Sequence, residues 1–146
     1  MEVVLHPLFE AWLTSLTDGS LAGGTDWWEV AAEITALLGA LERHGRNLGD
    51  PECHEVVSAR YDIRALRRTP PTGTTPYAVG PPVIRILVGF ARSEQGQTIA
   101  VALVGGDKTA LGNRWYPANV ERAQQRLDQW CSRNPGSTPI VRRGGH

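Results

Sequence analysis

The residues of this chain best suited to chemistry are cations and one phenol, all in its second half. Arg64, Arg67 and Arg68 fall within one short segment, and Arg85 sits in the next apolar run. Lys108, Arg114 and Tyr116 follow a third run. Together they suit a phosphate-bearing polyanion: guanidinium and ammonium groups hold the charge, and an aromatic ring stacks on a base or supplies a phenol. Arg85 is the sharpest case. It interrupts Val83-Ile84-Arg85-Ile86-Leu87-Val88, so it is expected to be partly buried and to need an anionic partner. That partner could be a bound phosphate or an internal Asp or Glu. Tyr116 has a plainer alternative too, as a packing residue at the end of a strand.

Other chemistries find no residues at the spacing they need. Cys53-His54 is too short for a zinc site, and no CxxC or HxxxH pair completes it. The pair reads as a loop thiol beside an exposed imidazole. Neither GxSxG nor GxxxxGK[ST] is present, and Gly105-Gly106-Asp107-Lys108-Thr109 only superficially suggests a phosphate loop. Asp62 and Asp107 are the only carboxylates near the basic motifs, too few for a two-metal nuclease. His6, His44, His54 and His146 fall outside the expected strands, so the basic half offers no acid–base histidine. Neither a metal nor a cofactor is expected.

The elements that must position these side chains follow from patterning. Val3–Leu5 reads as an opening strand. Leu8, Phe9, Trp12, Leu13 and Leu16 then recur at helical spacing. Asp26 and Glu29 form a capping pair before a second helix with Trp27, Val30, Ala31, Ile34, Leu37, Leu38 and Leu41 on one stripe, stopped by Gly45. Tyr61–Arg68 alternates, with Ile63, Ala65 and Arg67 on one face and Asp62, Arg64 and Arg68 on the other. Val83–Phe90 and Thr98–Val104 are β-branched runs joined by a hairpin loop at 93–97. The Pro- and Gly-rich stretch 69–82 reads as a long exposed loop. A last amphipathic helix fits Val120–Ser132. The fold class is therefore α+β, with N-terminal helices on a mostly antiparallel sheet and a C-terminal helix.

The length of 146 residues fits one domain, placed at 1–133, with a flexible tail over 134–146. Apolar residues make up 41% and charged residues 21%, as in a soluble globular protein. No apolar run is long enough to span a membrane, no signal peptide is visible, and two cysteines make no disulfide framework. A cytoplasmic protein with reduced thiols is expected. The formal net charge of zero conceals a strong asymmetry. Residues 1–57 carry 2 basic and 10 acidic side chains, whereas residues 58–146 carry 13 basic and 5 acidic. A basic surface that meets a polyanion is one reading; acidic helices packed beside a basic sheet is the other.

The ordered series Arg60-Tyr61-Asp62-Ile63-Arg64-Ala65-Leu66-Arg67, Val83-Ile84-Arg85-Ile86-Leu87, Ala102-Leu103-Val104-Gly105-Gly106-Asp107-Lys108-Thr109 and Arg114-Trp115-Tyr116, closed by an amphipathic helix, resembles the phage-derived Gp49-like or HigB-like branch of the RelE/ParE toxins. The resemblance spans roughly residues 26–131. It implies the toxin of a type II toxin–antitoxin pair, in this branch usually a ribosome-dependent endoribonuclease that cuts messenger RNA. RNA supplies its own nucleophile, the 2′-OH, so cleavage needs a base, cations for the phosphorane and an acid for the leaving 5′-oxygen. By the resemblance, Arg67 contacts the scissile phosphate and Arg85 supports it. Lys108 stabilises charge or protonates the leaving group. Tyr116 stacks on a base or, with its pKa lowered by Lys108 and Arg114, serves as general base. Arg64, Arg68 and Arg114 are expected to hold the RNA backbone.

Two rival functions share these features: a ParE-like inhibitor of DNA gyrase that cleaves nothing, and a non-catalytic RNA-binding module. The resemblance also implies a cognate antitoxin, typically a helix-turn-helix protein. Trp27 and Trp28 are adjacent, and a stripe centred on Ile34 and Leu38 cannot bury both. One is expected to stand exposed as an antitoxin-binding residue.

Overall fold

The computed structural model describes residues 1–19, 21, 24–67 and 83–142. The expected loop 69–82 and Arg68 lie outside the described residues. Strand β1 (Glu2–Leu5) leads into helix α1 (Pro7–Ser15), and helix α2 is Trp27–His44. Strands β2 (Cys53–Glu55), β3 (Ile63–Arg67), β4 (Ile84–Arg92) and β5 (Thr98–Asp107) follow, then helix α3 (Tyr116–Arg133) and strand β6 (Thr138–Pro139). No described helix is long and apolar enough to cross a membrane.

The sheet runs β1-β5-β4-β3-β2, with β6 paired to β4 beyond the end of β3. Only the β1–β5 pairing is parallel, so the expected α+β class with a mostly antiparallel sheet holds. Alternation along the strands divides two cores. Ile84, Ile86, Val88 and Phe90 of β4 face α1 and α2, together with Phe9, Ile34 and Leu41. Leu87 and Ala91 face α3, together with Ile63, Ala65, Leu103 and Leu127. The sheet is thus the middle of three layers. Gly89 is where α3 comes closest, since a Cβ there would lie 2.9 Å from Leu127 Cδ2.

Local signals set the helix ends. His6 Nδ1 accepts a hydrogen bond from the Leu8 amide at 3.1 Å, capping α1, and Asp26 Oδ1 accepts one from the Glu29 amide at 3.1 Å, capping α2. Gly45, at φ 58°, closes α2 with its amide on Leu41 O.

Two expectations are corrected. Cys53-His54 is strand, not loop: Cys53 is buried and pairs opposite Leu66, and His54 pairs opposite Ala65. Burial pushes both thiols, Cys53 and Cys131, up to about 11. The segment after Arg133 does not fray over 138–142. Pro139 and Thr138 pair with Ala91 and Arg92, the Ile140 amide donates to Phe90 O, and Val141 bridges to Tyr61. The physical reason is that β3 covers β4 only as far as Gly89, which leaves backbone groups at the far end of β4 for the returning chain to satisfy.

Candidate functional site

The register of the strands brings the predicted cations together. Arg67 lies directly opposite Arg85, and Arg85 directly opposite Gly106. All three therefore share the α3 face, at the end of the sheet where α3 begins. Lys108 follows two residues beyond Gly106, its amide donating to Val83 O. Its ammonium lies 5.3 Å from the centroid of the Tyr116 ring and donates to Asn113 Oδ1 at 3.0 Å. Burial, then Arg85 and Arg67, hold the Lys108 ammonium below the ordinary lysine value.

Arg85 behaves as its place in an apolar strand predicts. One Nη donates to the Ile84 carbonyl at 2.9 Å, while Nε is buried with no partner. Among the described residues no carboxylate pairs with it, so the alternative of an internal ion pair is not what these residues form. Arg67 is tied more loosely. Its guanidinium meets Asp50 Oδ1 at 3.2 Å and the Pro51 carbonyl. With Asp50 74% exposed, that ion pair is worth little.

The two glycines of the Gly105-Gly106 motif are explained by packing. A Cβ on Gly105 would overlap the ring of Trp12, which packs from the α1 side. A Cβ on Gly106 would stand 2.9 Å from Trp115 Nε1 on the opposite side. The motif lets two tryptophans close on the strand from both faces. Trp115 is buried, and its ring meets Tyr116 edge-on at 5.3 Å. The close approach at Gly106 thereby positions the first turn of α3, and with it Tyr116. Arg114 stands exposed just before it.

Arg64 is not brought to this cluster. It projects to the other face, where Asp62, 2% exposed, accepts from Arg64 Nε at 3.1 Å and from Arg46 Nη2 at 2.7 Å. Arg64 and Arg46 also lie over the Phe90 ring, at 5.4 and 5.7 Å. This is a structural triad, which corrects the expectation that Arg64 holds an RNA backbone.

One residue that sequence reasoning missed does join the cluster. His54 on β2 shares the face of Ala65 and Arg67, and its ring lies 6.4 Å from Tyr116, nearly edge-on. Burial pulls its imidazole below the usual histidine range. Arg67, Arg85 and Lys108 act in the same direction, and Asp50 opposes them. Only the strand Cys53–Glu55 places it there, and three residues are too few for alternation to show. At the far side of the molecule the adjacent tryptophans separate as expected: Trp27 packs on the core, whereas Trp28 is 72% exposed.

Comparison with known proteins gives the family. The chain is 31% identical over 137 residues to "Putative toxin HigB3" of Mycobacterium tuberculosis (strain ATCC 25618 / H37Rv), covering 93% of this chain and 98% of that protein. The chain belongs to the HigB-like toxins of the RelE/ParE superfamily. No family model and no solved structure matches it. The match takes in 93% of this HigB-like chain, well beyond the roughly 26–131 over which the motif resemblance runs. Among the described residues, no three His, Cys, Asp or Glu side chains come together as metal ligands.

Proposed function

We propose that this HigB-like protein is the toxin of a toxin–antitoxin pair and cuts messenger RNA on the ribosome by attack of the 2′-OH on the adjacent phosphate. The observation that carries this reading is the cross-strand pair Arg67–Arg85 with Lys108 beside it, three cations on one face with, among the described residues, only the exposed Asp50 carboxylate tied to any of them. Like charges directly opposite one another across a sheet are destabilising, so the arrangement calls for an anion. A phosphodiester becoming a phosphorane gains negative charge, which fixed cations stabilise more strongly than the ground state.

In this reading Arg67 and Arg85 hold the scissile phosphate and Lys108 faces the leaving 5′-oxygen. Tyr116, its ring against Lys108, offers the opposite side to a nucleobase, and the exposed Arg114 meets the RNA backbone. The cognate antitoxin, a helix-turn-helix protein, docks on the acidic helical layer at Trp28. The test is a primer-extension and end-group assay on ribosome-bound message. Cleavage should leave a 2′,3′-cyclic phosphate and a 5′-hydroxyl, survive chelation once ribosome integrity is controlled, and vanish in an Arg67→Ala/Lys108→Ala variant. A 5′-phosphate product would overturn the chemistry, and intact message alongside inhibited gyrase would overturn the reading in favour of a ParE-like inhibitor.

A further inference from the structure

His54 brings a neutral proton acceptor into the cationic cluster. It lies on β2 opposite Ala65, in the row beside Arg67, and its ring stands 6.4 Å from that of Tyr116. Its Nδ1 is buried and has no hydrogen-bond partner among the described residues. Leaving a buried nitrogen unsatisfied is costly, and His54 carries that cost on the face that bears the cationic row.

The groups around it come from every neighbouring element: Asp50 before β2, Arg67 on β3, Arg85 on β4, Lys108 after β5 and Tyr116 on α3. The two arginines cannot accept a proton. Asp50 is already engaged with Arg67 and is mostly in solvent. Lys108 is an ammonium, a donor, and in the reading above the Tyr116 ring takes a nucleobase. The imidazole remains.

Resting on the RNA-cleaving reading above, we infer that His54 is a catalytic residue that takes the 2′-OH proton. As that proton passes to the imidazole, O2′ bonds to phosphorus and the P–O5′ bond breaks. The leaving O5′ takes a proton from the Lys108 ammonium. The products are a 2′,3′-cyclic phosphate and a 5′-hydroxyl, and both side chains reset by exchange with water. A base must be unprotonated to act, and its burial among cations keeps His54 so at neutral pH.

The test is the single-turnover rate of cleavage of ribosome-bound message as a function of pH. The wild-type protein should show an acid limb, with rate rising as pH rises, whose midpoint lies below the ordinary histidine value of about 6.5. His54→Gln should slow cleavage roughly 10²–10⁴-fold and abolish the limb. His54→Gly should recover part of the rate with added imidazole. Arg67→Ala should slow cleavage while keeping the limb. A His54→Gln protein that folds and retains the limb would overturn this inference alone. Wild-type protein that leaves message uncut at every pH would overturn the nuclease reading and this inference with it.

Discussion

Arg67 and Arg85 face each other across β3 and β4, side by side on the same surface of the sheet, and among the described residues only Arg67 has a carboxylate partner. Two guanidinium groups in register repel, and one of them leaves a buried Nε unpaired. This pair should therefore detract from folding stability while serving the bound anion.

Arg85→Met keeps the length and most of the volume of the side chain while removing charge and orphaned donor. It should raise stability to urea by about 1 kcal/mol and abolish growth arrest when the protein is induced alone. An Arg85→Met protein less stable than wild type would mean that Arg85 has a structural partner after all.

Gly106 controls the position of Trp115. In Gly106→Ala the new methyl must push the indole and the first turn of α3. Overpacking of this kind costs about 1–3 kcal/mol. Toxicity should fall further than in a control variant of equal stability lesion, because Tyr116 moves with Trp115. Equal toxicity in the two would separate the packing of Trp115 from the site.

Stability should fall on acidification. Burial pulls His6 below the usual histidine range, Gln129 opposes this, and Arg126 and Arg133 add to it. Its Nδ1 must stay unprotonated to cap α1. Because the native value is the lower one, the unfolded chain binds the proton first. Stability is then full above about pH 6.5 and is lost as pH falls through the native value. His54 contributes in the same direction. Loss of the cap alone is worth about 1 kcal/mol. His6→Asn retains a capping oxygen and should flatten the dependence of the urea midpoint between neutral and mildly acidic pH; an unaltered slope would assign the effect elsewhere.

Trp28→Ala should weaken antitoxin binding by at least about 2 kcal/mol, as a hot spot does, and leave toxicity intact. Calorimetry on the purified pair reads the first and induction without antitoxin the second. Unchanged affinity, with binding lost instead in Arg67 or Arg85 variants, would place the antitoxin over the cationic face.

How much of this was legible in the sequence depends on how local each signal is. Helix α2 was readable because its stripe, its Asp26 cap and its Gly45 stop all act within a few residues. The alternation of 61–67 places Arg64 and Arg67 on opposite faces and sets Asp62 beside Arg64; what it cannot show is Arg46, which reaches the same carboxylate from the distant turn after α2 and whose carbonyl accepts from Arg64. Strand β2 exists because β3 offers an edge to pair with; three residues carry no period of their own. His54 carries no local signal for that reason: its surroundings are assembled from five other segments, of which only the Asp50 turn is near it in sequence. The pairing of β1 with β5 is likewise invisible locally, since Val3 and Ala100 meet only in the folded sheet.

The return of residues 138–142 to the sheet has a consequence for timing. The last backbone groups of β4 find partners only when the segment around Pro139 has been synthesised, and the Asp62 amide donates to the Ile140 carbonyl of the same stretch. Strand β1, made first, must also wait for β5. A nascent chain still threaded through the ribosome therefore lacks both the companion of its first strand and the closing edge of its sheet. The cationic row of Arg67, Arg85 and Lys108, by contrast, is spanned by β3, β4 and the end of β5 alone, so it can assemble once Lys108 has been made, before either end of the sheet is closed.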